Sequence, residues 1–415
     1  MREMKDSGIE WIGEIPKDWK IAQVRYLFNI GRGRVISQEE LNPDGKFPVY
    51  SSQTKDNGCL GYIDTYDFNG EQITWTTDGA NAGTIFLRNG KYNCTNVCGT
   101  LKATNKSVYL AYQRYALEHI AFYHKRADTN GYKIMNNEMA AIHTLIPPIS
   151  EQQRIASYLD TKCSKIDDII EKQQSVIERL KAYKASIITE AVTKGLNPDV
   201  PMKDSGVEWI GEVPEHWNVK KLKYILDSSL QYGANETGVE FESSLPRYIR
   251  ITDILPNNTL KEDGKLSLPE DSAKEFILKN GDLLFARSGA TVGKTFLYQE
   301  KVGRCAFAGY LIKASINKKA NNPKFLYYYT LSNCYEMWKN YIFIQSTIQN
   351  IGADKYSNLL ISIPPIDEQK QIADYLDQKC SAIDSTIANK QALIEKLTAY
   401  KKSLIYEVVT GKKEV

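Results

Sequence analysis

The sequence predicts an α+β protein with an internal repeat, in which two α+β domains are joined by two long helices that form an antiparallel coiled coil. Two phrases that occur twice indicate the repeat. "KDSGIEWIGEIPKDWKI" at 5–21 returns as "KDSGVEWIGEVPEHWNV" at 203–219, and "IPPISEQQRIASYLDTKCSKID" at 146–167 returns as "IPPIDEQKQIADYLDQKCSAID" at 363–384. A segment without Pro or Gly follows each "IPPI", and its apolar residues at steps of three and four are typical of a long amphipathic helix.

The interiors of the two copies differ more than their ends. The opening phrases are offset by 203 − 5 = 198 residues and the later phrases by 363 − 146 = 217, so the second copy has 217 − 198 = 19 more interior residues. Residues 22–145 and 220–362 share almost no register, yet both contain short alternating apolar runs separated by Gly, Asn and Asp. The stretches "GEQITWTTDGANAGTIFLRNG" and "NGDLLFARSGATVGKTFLYQE" therefore predict β-hairpins with turns that need glycine.

Each interior ends in a helical stretch, "YLAYQRYALEHIAFYH" in the first copy and "PKFLYYYTLSNCYEMWKNYI" in the second. Short strands followed by such a stretch predict an α+β domain in each copy. The predicted division of the chain is a first α+β domain at 1–149, a central helix at 150–195, a second α+β domain at 196–362 and a C-terminal helix at 363–415.

The two long helices have a coiled-coil seam, a row of apolar residues at heptad-like spacing. Ser150, with Gln153 three residues later, predicts the N-terminal cap of the central helix, and Gly195 predicts its end. Asp367 with Lys370 is a weaker form of the same start. The predicted seam residues are Ile155, Leu159, Ile166, Ile170, Ile177, Leu180, Ile187 and Ala191 in the central helix, and Ile372, Leu376, Ile383, Ile387, Ile394, Leu397, Leu404 and Val408 in the C-terminal helix.

Connectivity favours an antiparallel pair of helices. The central helix leads into the second α+β domain, and the C-terminal helix starts at the far end of that domain, so the end of one helix and the start of the other have a common neighbour. Gln173 and Lys390 lie where the heptad expects an apolar residue. Each either fixes the register of the pair or is a solvated position at the edge of the seam, and both interpretations remain open.

Composition and charge exclude several classes of protein. A chain of 415 residues with 42% hydrophobic content is sufficient for two ordinary domains with their own cores. No run approaches the roughly 18 to 20 apolar residues of a membrane span, and the N-terminus lacks the apolar segment of a signal peptide, so we expect a cytoplasmic protein. The 53 basic and 50 acidic residues leave a net charge of +3, so any contact with DNA must depend on a local patch.

Motifs for metal binding and catalysis are incomplete. Cys94 and Cys98 are the one close cysteine pair and lack the rest of a zinc ligand set, so they indicate buried reduced thiols more than a metal site. "SGATVGKT" resembles a phosphate-binding loop, but Ser288 stands where the first glycine is required. "NPKF" at 322–325 lacks the second proline of an amino-methyltransferase motif. We therefore expect that the chain is not an enzyme by itself and that partner chains supply the chemistry.

These residues resemble the specificity subunit of type I restriction-modification enzymes over essentially the whole chain. The resemblance rests on the doubled "GIEWIGEIPKDW" and "GVEWIGEVPEHW", on "IPPI" followed by a residue and then Glu-Gln, and on "FPVYSSQTKDNGCLGYIDTYDF", "GDLLFARSGATVGK" and "STIQNI". It implies that each α+β domain is a target recognition domain for one half of a bipartite, asymmetric sequence in double-stranded DNA. It also implies that the helices set the gap between the half-sites and dock two modification subunits.

The same resemblance implies the partners and their cofactors. S-adenosylmethionine is expected on the modification (methyltransferase) subunits, and ATP and Mg on the restriction (nuclease and translocase) subunits. The first domain departs from the pattern at 128–134, where "DTNGYKI" aligns with "QSTIQNI" at 345–351, so which residues there contact DNA is open. The alternative to a DNA-binding subunit is a two-headed protein-binding scaffold without DNA recognition.

Polar and cationic side chains in the loops of each interior are candidates for contact with DNA. Ser, Thr, Asn and Gln can form hydrogen bonds with base edges or phosphates, and Arg can contact guanine bidentately. For any one candidate, turn capping or surface hydration is the other interpretation. The candidates are Ser51, Ser52, Gln53, Thr54, Lys55, Thr76, Thr77, Asp78, Asn81, Arg126 and Asn130 in the first domain, and Arg250, Thr252, Asp253, Arg287, Ser288, Thr291, Lys294, Ser346, Thr347 and Gln349 in the second.

Overall fold

The structure is a computed structural model that describes residues 2–10, 12–129, 131–289, 291–344 and 350–415. The chain divides into two compact units. The first unit consists of Met1–Gln174 with Gln391–Val415, and the second consists of Ser175–Lys390. Each long helix therefore contributes one part to the first unit and the other part to the second. None of the helices in the described ranges is long and apolar enough to cross a membrane.

The first unit contains fifteen described strands, two short helices, the first part of one long helix and the last part of the other. The strands are β1 (Met4–Asp6), β2 (Glu14–Pro16), β3 (Lys20–Gln23), β4 (Phe28–Arg32), β5 (Phe47–Tyr50), β6 (Cys59–Ile63), β7 (Phe68–Asn69), β8 (Gln72–Thr76), β9 (Asp78–Gly79), β10 (Ile85–Arg88), β11 (Lys91–Cys94), β12 (Cys98–Ala103), β13 (Arg126–Asp128), β14 (Gly131–Lys133) and β15 (His143–Ile146). The helices are α1 (Leu110–His124), α2 (Asn136–Ala141) and α3 (Ile149–Lys194).

Two four-stranded sheets form the body of the first domain. One is antiparallel with the order β10-β8-β12-β4, and the other has the order β6-β5-β11-β7 with a parallel pair of β5 and β11. The central strand β8 is buried along its whole length, as its apolar and β-branched sequence "QITWT" requires. Trp75 of β8 lies across Gly99 of β12, where a Cβ atom would approach the indole to 2.1 Å. The core therefore needs glycine at position 99.

The second unit contains the second domain together with the remaining parts of the long helices. Its strands are β16 (Met202–Asp204), β17 (Glu212–Pro214), β18 (Asn218–Lys221), β19 (Gln231–Tyr232), β20 (Val239–Glu240), β21 (Arg247–Ile249), β22 (Ile254–Leu255), β23 (Thr259–Leu260), β24 (Leu266–Ser267), β25 (Leu283–Ala286), β26 (Thr295–Leu297), β27 (Cys305–Phe307), β28 (Leu311–Ala314) and β29 (Leu360–Ile363). Its helices are α4 (Glu270–Ala273), α5 (Pro323–Tyr329), α6 (Asn333–Ile344), α7 (Ala353–Ser357) and α8 (Ile366–Val409).

One sheet of the first domain repeats in the second, and the other repeats in part. The order β26-β25-β28-β19 matches β10-β8-β12-β4, and the parallel pair β21 and β27 matches β5 and β11. The antiparallel pair β18 and β29 likewise matches β3 and β15. The second sheets differ at one edge, where β7 flanks β11 in the first domain and β20 flanks β24 in the second. The two divergent interiors therefore share a common set of strands, which their sequences do not reveal. Part of the extra length of the second domain lies after β21. The segment 250–265, which contains the hairpin β22–β23, occupies the place that the shorter segment 51–58 has in the first domain.

The predicted local elements are confirmed with one change. The hairpins β8–β10 and β25–β26 are antiparallel, and α1 covers the first helical stretch. The second stretch is divided into α5 and α6. The hydroxyl of Ser332 donates to the carbonyl oxygen of Tyr329 at 2.7 Å and accepts from the N–H of Tyr335 at 3.4 Å, so it ends one helix and starts the next.

The two phrases that are copied at the ends of each domain contact one another. In the first unit Trp19 Nε1 donates to Glu151 Oε2 at 3.0 Å. The equivalent Trp217 Nε1 donates to Glu368 Oε1 at 3.1 Å in the second unit. Both indoles are fully buried. The repeated Trp and Glu therefore tie each domain to the start of its helix.

The glutamine that follows each of these glutamates has a second structural role. The buried side chain of Gln152 accepts from the N–H of Tyr109 at 2.8 Å and donates to the carbonyl oxygen of Pro147 at 2.8 Å. Gln369 donates in the same way to the carbonyl oxygen of Pro364 at 2.8 Å. The repeated "EQ" is thus explained by contacts inside each unit.

The predicted helix caps are wrong by two residues. The helices begin at Ile149 and Ile366, so Ser150 and Asp367 lie inside the first turn instead of preceding it. The carbonyl oxygen of Pro148 accepts from the N–H groups of Glu151 and Gln152, and this contact starts the helix earlier than a Ser150 cap would.

Within each unit the parts of the two long helices run antiparallel. In the first unit Lys401 Nζ lies 2.6 Å from Asp167 Oδ2, and in the second Lys184 Nζ lies 2.7 Å from Asp384 Oδ2. These two ion pairs are equivalent by the repeat, because 384 − 167 = 217 and 401 − 184 = 217. Every predicted seam residue is buried or half-buried, and Gln173 and Lys390 are half-buried.

Candidate nucleic-acid interface

The turn of the main hairpin has the same backbone in both domains. In the first, the N–H of Gly83 donates to the carbonyl oxygen of Thr76 at 2.9 Å, and the N–H of Thr84 donates to the carbonyl oxygen of Asn81 at 3.1 Å. Glycine is required in this turn, since Gly79 has a φ of +89° and Gly83 a φ of +85°.

The second domain repeats these hydrogen bonds at an offset of 210 residues. The N–H of Gly293 donates to the carbonyl oxygen of Ala286 at 2.8 Å, and the N–H of Lys294 donates to the carbonyl oxygen of Thr291 at 3.0 Å. Gly289 and Gly293 have φ values of +80° and +83°. We call residues 76–84 and 286–294 the recognition turns. Their shape is shared, while the side chains at most of their positions differ.

A second candidate loop lies beside each recognition turn. In the first domain Ser51, Ser52, Gln53, Thr54 and Lys55 follow β5, and Asn81 Nδ2 of the turn donates to the carbonyl oxygen of Ser52 at 3.0 Å. The structure therefore brings together two groups of candidates that are about thirty residues apart in the sequence.

The same two loops meet in the second domain. Arg250, Thr252 and Asp253 follow β21, and the amino group of Lys294 donates to the carbonyl oxygen of Ile254 in that segment. Lys294, the lysine of the sequence that resembles a phosphate-binding loop, is thus engaged within the protein.

A third contact to each recognition turn comes from Ile134 and Ile351, which are equivalent in the alignment of 128–134 with 345–351. The N–H of Ile134 donates to the carbonyl oxygen of Thr77 at 2.8 Å, and the N–H of Ile351 donates to that of Arg287 at 2.8 Å. Arg126 belongs to the same segment as Ile134, since β13 pairs with β14 and β14 pairs with Asp78 in β9. The candidates that lie outside the described residues are Asn130, Ser346, Thr347 and Gln349.

Several candidates hold the loops together. Arg250 contacts Asp253 through two hydrogen bonds of 2.7 and 3.0 Å, and this carboxylate raises the pKa of the Arg250 guanidinium. Arg126 Nε lies 2.6 Å from Glu138 Oε1. The hydroxyl of Thr76 donates to the carbonyl oxygen of Asn81. Contact of these side chains with bases would require loss of an existing partner.

Exposure separates the remaining candidates. The side chains of Thr77, Thr76 and Asp253 are buried, at 0%, 0% and 2% exposure. The candidates with intermediate exposure or full exposure are Ser51, Ser52, Gln53, Thr54, Lys55, Asp78, Asn81, Arg126, Arg250, Thr252, Arg287, Ser288, Thr291 and Lys294. The accessible part of the predicted set is therefore concentrated in the recognition turns and the loops beside them.

Arg287 is the candidate best placed for contact with a ligand. Its guanidinium carbon lies 4.8 Å from the ring centroid of Tyr232, and its buried Nε atom has no hydrogen-bond partner in the described ranges. The side chain as a whole is partly exposed. Tyr310, whose carbonyl oxygen accepts the backbone N–H of Arg287, is 64% exposed. Stacking on tyrosine orients the planar guanidinium without neutralising it.

Sequence reasoning missed two residues at this interface. Tyr232 was not recognised because nothing in the sequence indicates that it stacks on a residue 55 positions later. Arg88 is 2% exposed and lies between the rings of Tyr50 and Phe86, at 3.6 and 4.2 Å from their centroids. Burial lowers the pKa of the Arg88 guanidinium. Nothing in the sequence indicates that Arg88, the last residue of the strand "IFLR", is buried.

Cys94 and Cys98 lie near Arg88 in the same domain and are free, buried thiols. The hydrogen bond between them raises the pKa of Cys94 and lowers that of Cys98. In the described part of the chain, no group of three or more His, Cys, Asp or Glu side chains is arranged to hold a metal ion.

A family described as the type I restriction modification DNA specificity domain matches the chain twice, at residues 16–179 and 214–399. The MjaVIII specificity subunit of Methanocaldococcus jannaschii is 27% identical over 426 residues, which cover 96% of this chain and 93% of that protein. A putative type I specificity subunit of Mycoplasma pneumoniae, S.MpnORF289P N-terminus, is 43% identical over 143 residues, or 34% of this chain and 76% of the relative. Another from that organism, S.MpnORF507P, is 40% identical, and the match covers 38% of its length.

Among solved structures, one described as the structural basis of complex assembly and conformational transition of the type I R-M system is similar in fold. The TM-score is 0.69, and the match covers 96% of this chain and 99% of the other at 14% identity.

Proposed function

The chain belongs to the family of type I restriction-modification DNA specificity proteins, and from this premise we propose that it recognises a bipartite, asymmetric DNA sequence, with one half-site bound by each α+β domain. The observation that carries the proposal is the pair of recognition turns. They share a backbone, but the accessible Asp78 and Asn81 correspond to Ser288 and Thr291, and the buried Thr77 corresponds to the partly exposed Arg287. Base recognition depends on side chains, so one scaffold with two sets of side chains fits two different half-sites.

The long helices act as the spacer in this proposal. They set the gap between the two half-sites and dock two modification subunits. The α3 helix has 46 residues, which corresponds to about 69 Å at about 1.5 Å per residue. A four-residue insertion adds about 6 Å, and base pairs stack at about 3.4 Å, so it should lengthen the preferred gap by about one or two base pairs without changing either half-site.

Methyl transfer and cleavage belong to the partner chains in this proposal. S-adenosylmethionine is bound by the methyltransferase subunits, and ATP with Mg by the restriction subunits that cut and translocate DNA. This chain supplies target recognition in the cytoplasm and no catalytic group. Methyl transfer by the purified chain alone would contradict this division of roles.

Selection of bound fragments from random duplex DNA, followed by sequencing, tests the proposal. The purified full-length chain should retain duplexes with two different short sequences separated by a constant number of unspecified base pairs. A protein-binding scaffold would retain no preferred sequence. In that case the proposed function would be replaced by the scaffold alternative.

A further inference from the structure

A close approach of two backbone segments repeats in both domains and identifies equivalent positions. A Cβ atom on Gly33 would lie 2.2 Å from the carbonyl oxygen of Cys94, and one on Gly233 would lie 2.4 Å from that of Phe307. The N–H of Gly33 donates to the carbonyl oxygen of Cys98 at 3.0 Å. Only glycine fits this crossing in either domain, so the residues just before the two glycines correspond to one another.

Those residues are Arg32 in the first domain and Tyr232 in the second. We call this the strand position, because it ends β4 and β19. The turn position is Thr77 in the first domain and Arg287 in the second, as the recognition turns establish. Each domain therefore has an arginine at one of these two positions. In the first domain it is at the strand position, and in the second domain it is at the turn position.

We propose that Arg32 is a specificity-determining residue of the first domain and contacts a guanine base, as the counterpart of Arg287 in the second domain. This inference rests on the proposed function and deepens it. The arginine is carried by the end of a strand in the first domain and by the recognition turn in the second, while the turn beside it is equivalent in both. In the first domain this turn is 95–97, which accepts the N–H of Thr77 through the carbonyl oxygen of Val97 at 2.9 Å.

The geometry of Arg32 suits recognition of guanine. Its side chain is exposed, and Nε donates to the carbonyl oxygen of Asn96 at 2.5 Å. This bond uses one of the five donors and fixes the plane of the guanidinium, leaving the two terminal amino groups to bind the O6 and N7 atoms of guanine together. No carboxylate lies within 4.0 Å of it in the described ranges.

The neighbouring arginines of the first domain are engaged elsewhere. Arg34 lies 2.8 Å from Glu40 and 3.1 Å from Asp67. Arg126 is paired with Glu138, and Arg88 is buried. Arg32 is therefore the arginine of this region that combines exposure with available terminal amino groups.

The test compares Arg32→Ala, Arg32→Lys and the unmodified full-length chain in selections from random duplex DNA and in binding to the selected sequence. Arg32→Ala should weaken binding to the selected duplex by about 5- to 150-fold and relax the preference at one base pair of the first half-site only. Arg32→Lys keeps the charge but loses the planar pair of donors, so it should lose the same base preference while it retains affinity for unrelated DNA.

Arg25→Ala is the matched control. Arg25 is exposed and stacks 5.9 Å from the ring centroid of Tyr26, so its loss removes the same charge and should change no base preference. An equal loss of affinity on all sequences in Arg32→Ala, or unchanged base preference in both Arg32 variants, would overturn the role of Arg32. If the unmodified chain itself selected no sequence, the proposed function would fail instead. A thermal unfolding curve for each variant confirms that it is folded.

Discussion

The recognition turns have one backbone and different side chains, whereas the phrases at the ends of the domains have the same side chains and the same contacts. Trp19 and Trp217 both bind the glutamate that starts a long helix. By contrast, Thr77 and Arg287 share only backbone hydrogen bonds. The comparison teaches that a side chain is kept in both copies where it holds two elements together. Where backbone hydrogen bonds are sufficient, the side chain can differ between the copies: Thr77 is buried, whereas Arg287 is partly exposed and available for recognition.

The largest expected effect comes from the shared backbone. Gly33→Ala and Gly233→Ala should each destabilise their own domain by about 3 kcal/mol, because the new methyl group would overlap backbone carbonyl oxygens that cannot move separately. Each variant should lose preference for one half-site and keep the other. Thermal unfolding and selection from random DNA measure the two effects.

Gly61→Ala is the control for these glycine substitutions. Its Cβ atom would lie 3.3 Å from the end of the Leu41 side chain, which can rotate away. We expect a change below about 1 kcal/mol. If Gly33→Ala were as stable as Gly61→Ala, the close backbone approach at Gly33 would not require glycine. The correspondence of Gly33 with Gly233 would then lose its support.

An intermediate effect is expected from the side chain that differs. Arg287→Ala should weaken binding through the second half-site by about 1–3 kcal/mol and leave the first half-site unchanged. Tyr232→Leu should weaken the same contact by about 1 kcal/mol, because the guanidinium loses its stacking partner.

Arg304→Ala is the matched control in the second domain. Arg304 is exposed and paired with Glu270, so its loss removes an equal charge away from the recognition turn. Binding measured on duplexes with either half-site altered separates the two contributions. Equal weakening on every duplex would make Arg287 a phosphate contact.

The smallest expected effect distinguishes the two equivalent ion pairs of the long helices. The side chains of Lys184 and Asp384 are 18% and 26% exposed, whereas those of Lys401 and Asp167 are 27% and 55% exposed. Solvent screens the second pair more, so Lys184→Ala should cost about 1 kcal/mol and Lys401→Ala about 0.5 kcal/mol or less. Thermal unfolding at low and high salt provides the measurement. A larger cost for Lys401→Ala would show that burial does not set the difference.

The helices and hairpins could be predicted from sequence because their signals are local. Apolar residues at steps of three and four, with no Pro or Gly, predict a long helix, and glycine in a polar turn between apolar runs predicts a hairpin. The two-residue error at Ser150 arose because a backbone carbonyl, that of Pro148, starts the helix, and backbone acceptors leave no trace in the sequence.

The correspondence of the two interiors could not be predicted for the same reason. It rests on backbone hydrogen bonds whose offsets change from 200 residues at Gly33 and Gly233 to 210 residues in the recognition turns. A sequence alignment with one constant offset therefore cannot match both regions. Two contacts of the candidate site residues also could not be predicted from the sequence, because they depend on how the loops fold. They are the ion pair of Arg250 with Asp253 and the stacking of Arg287 on Tyr232.

The most direct test of the central claim is to give the chain two copies of one recognition domain. Residues 220–362 replace residues 22–145, so the copied phrases and both long helices are retained. Selection from random duplex DNA should then return the second half-site twice in each retained fragment, once for each domain. Thermal unfolding confirms that the variant is folded. Retention of the original asymmetric sequence by the folded variant would contradict the claim that each domain recognises its own half-site.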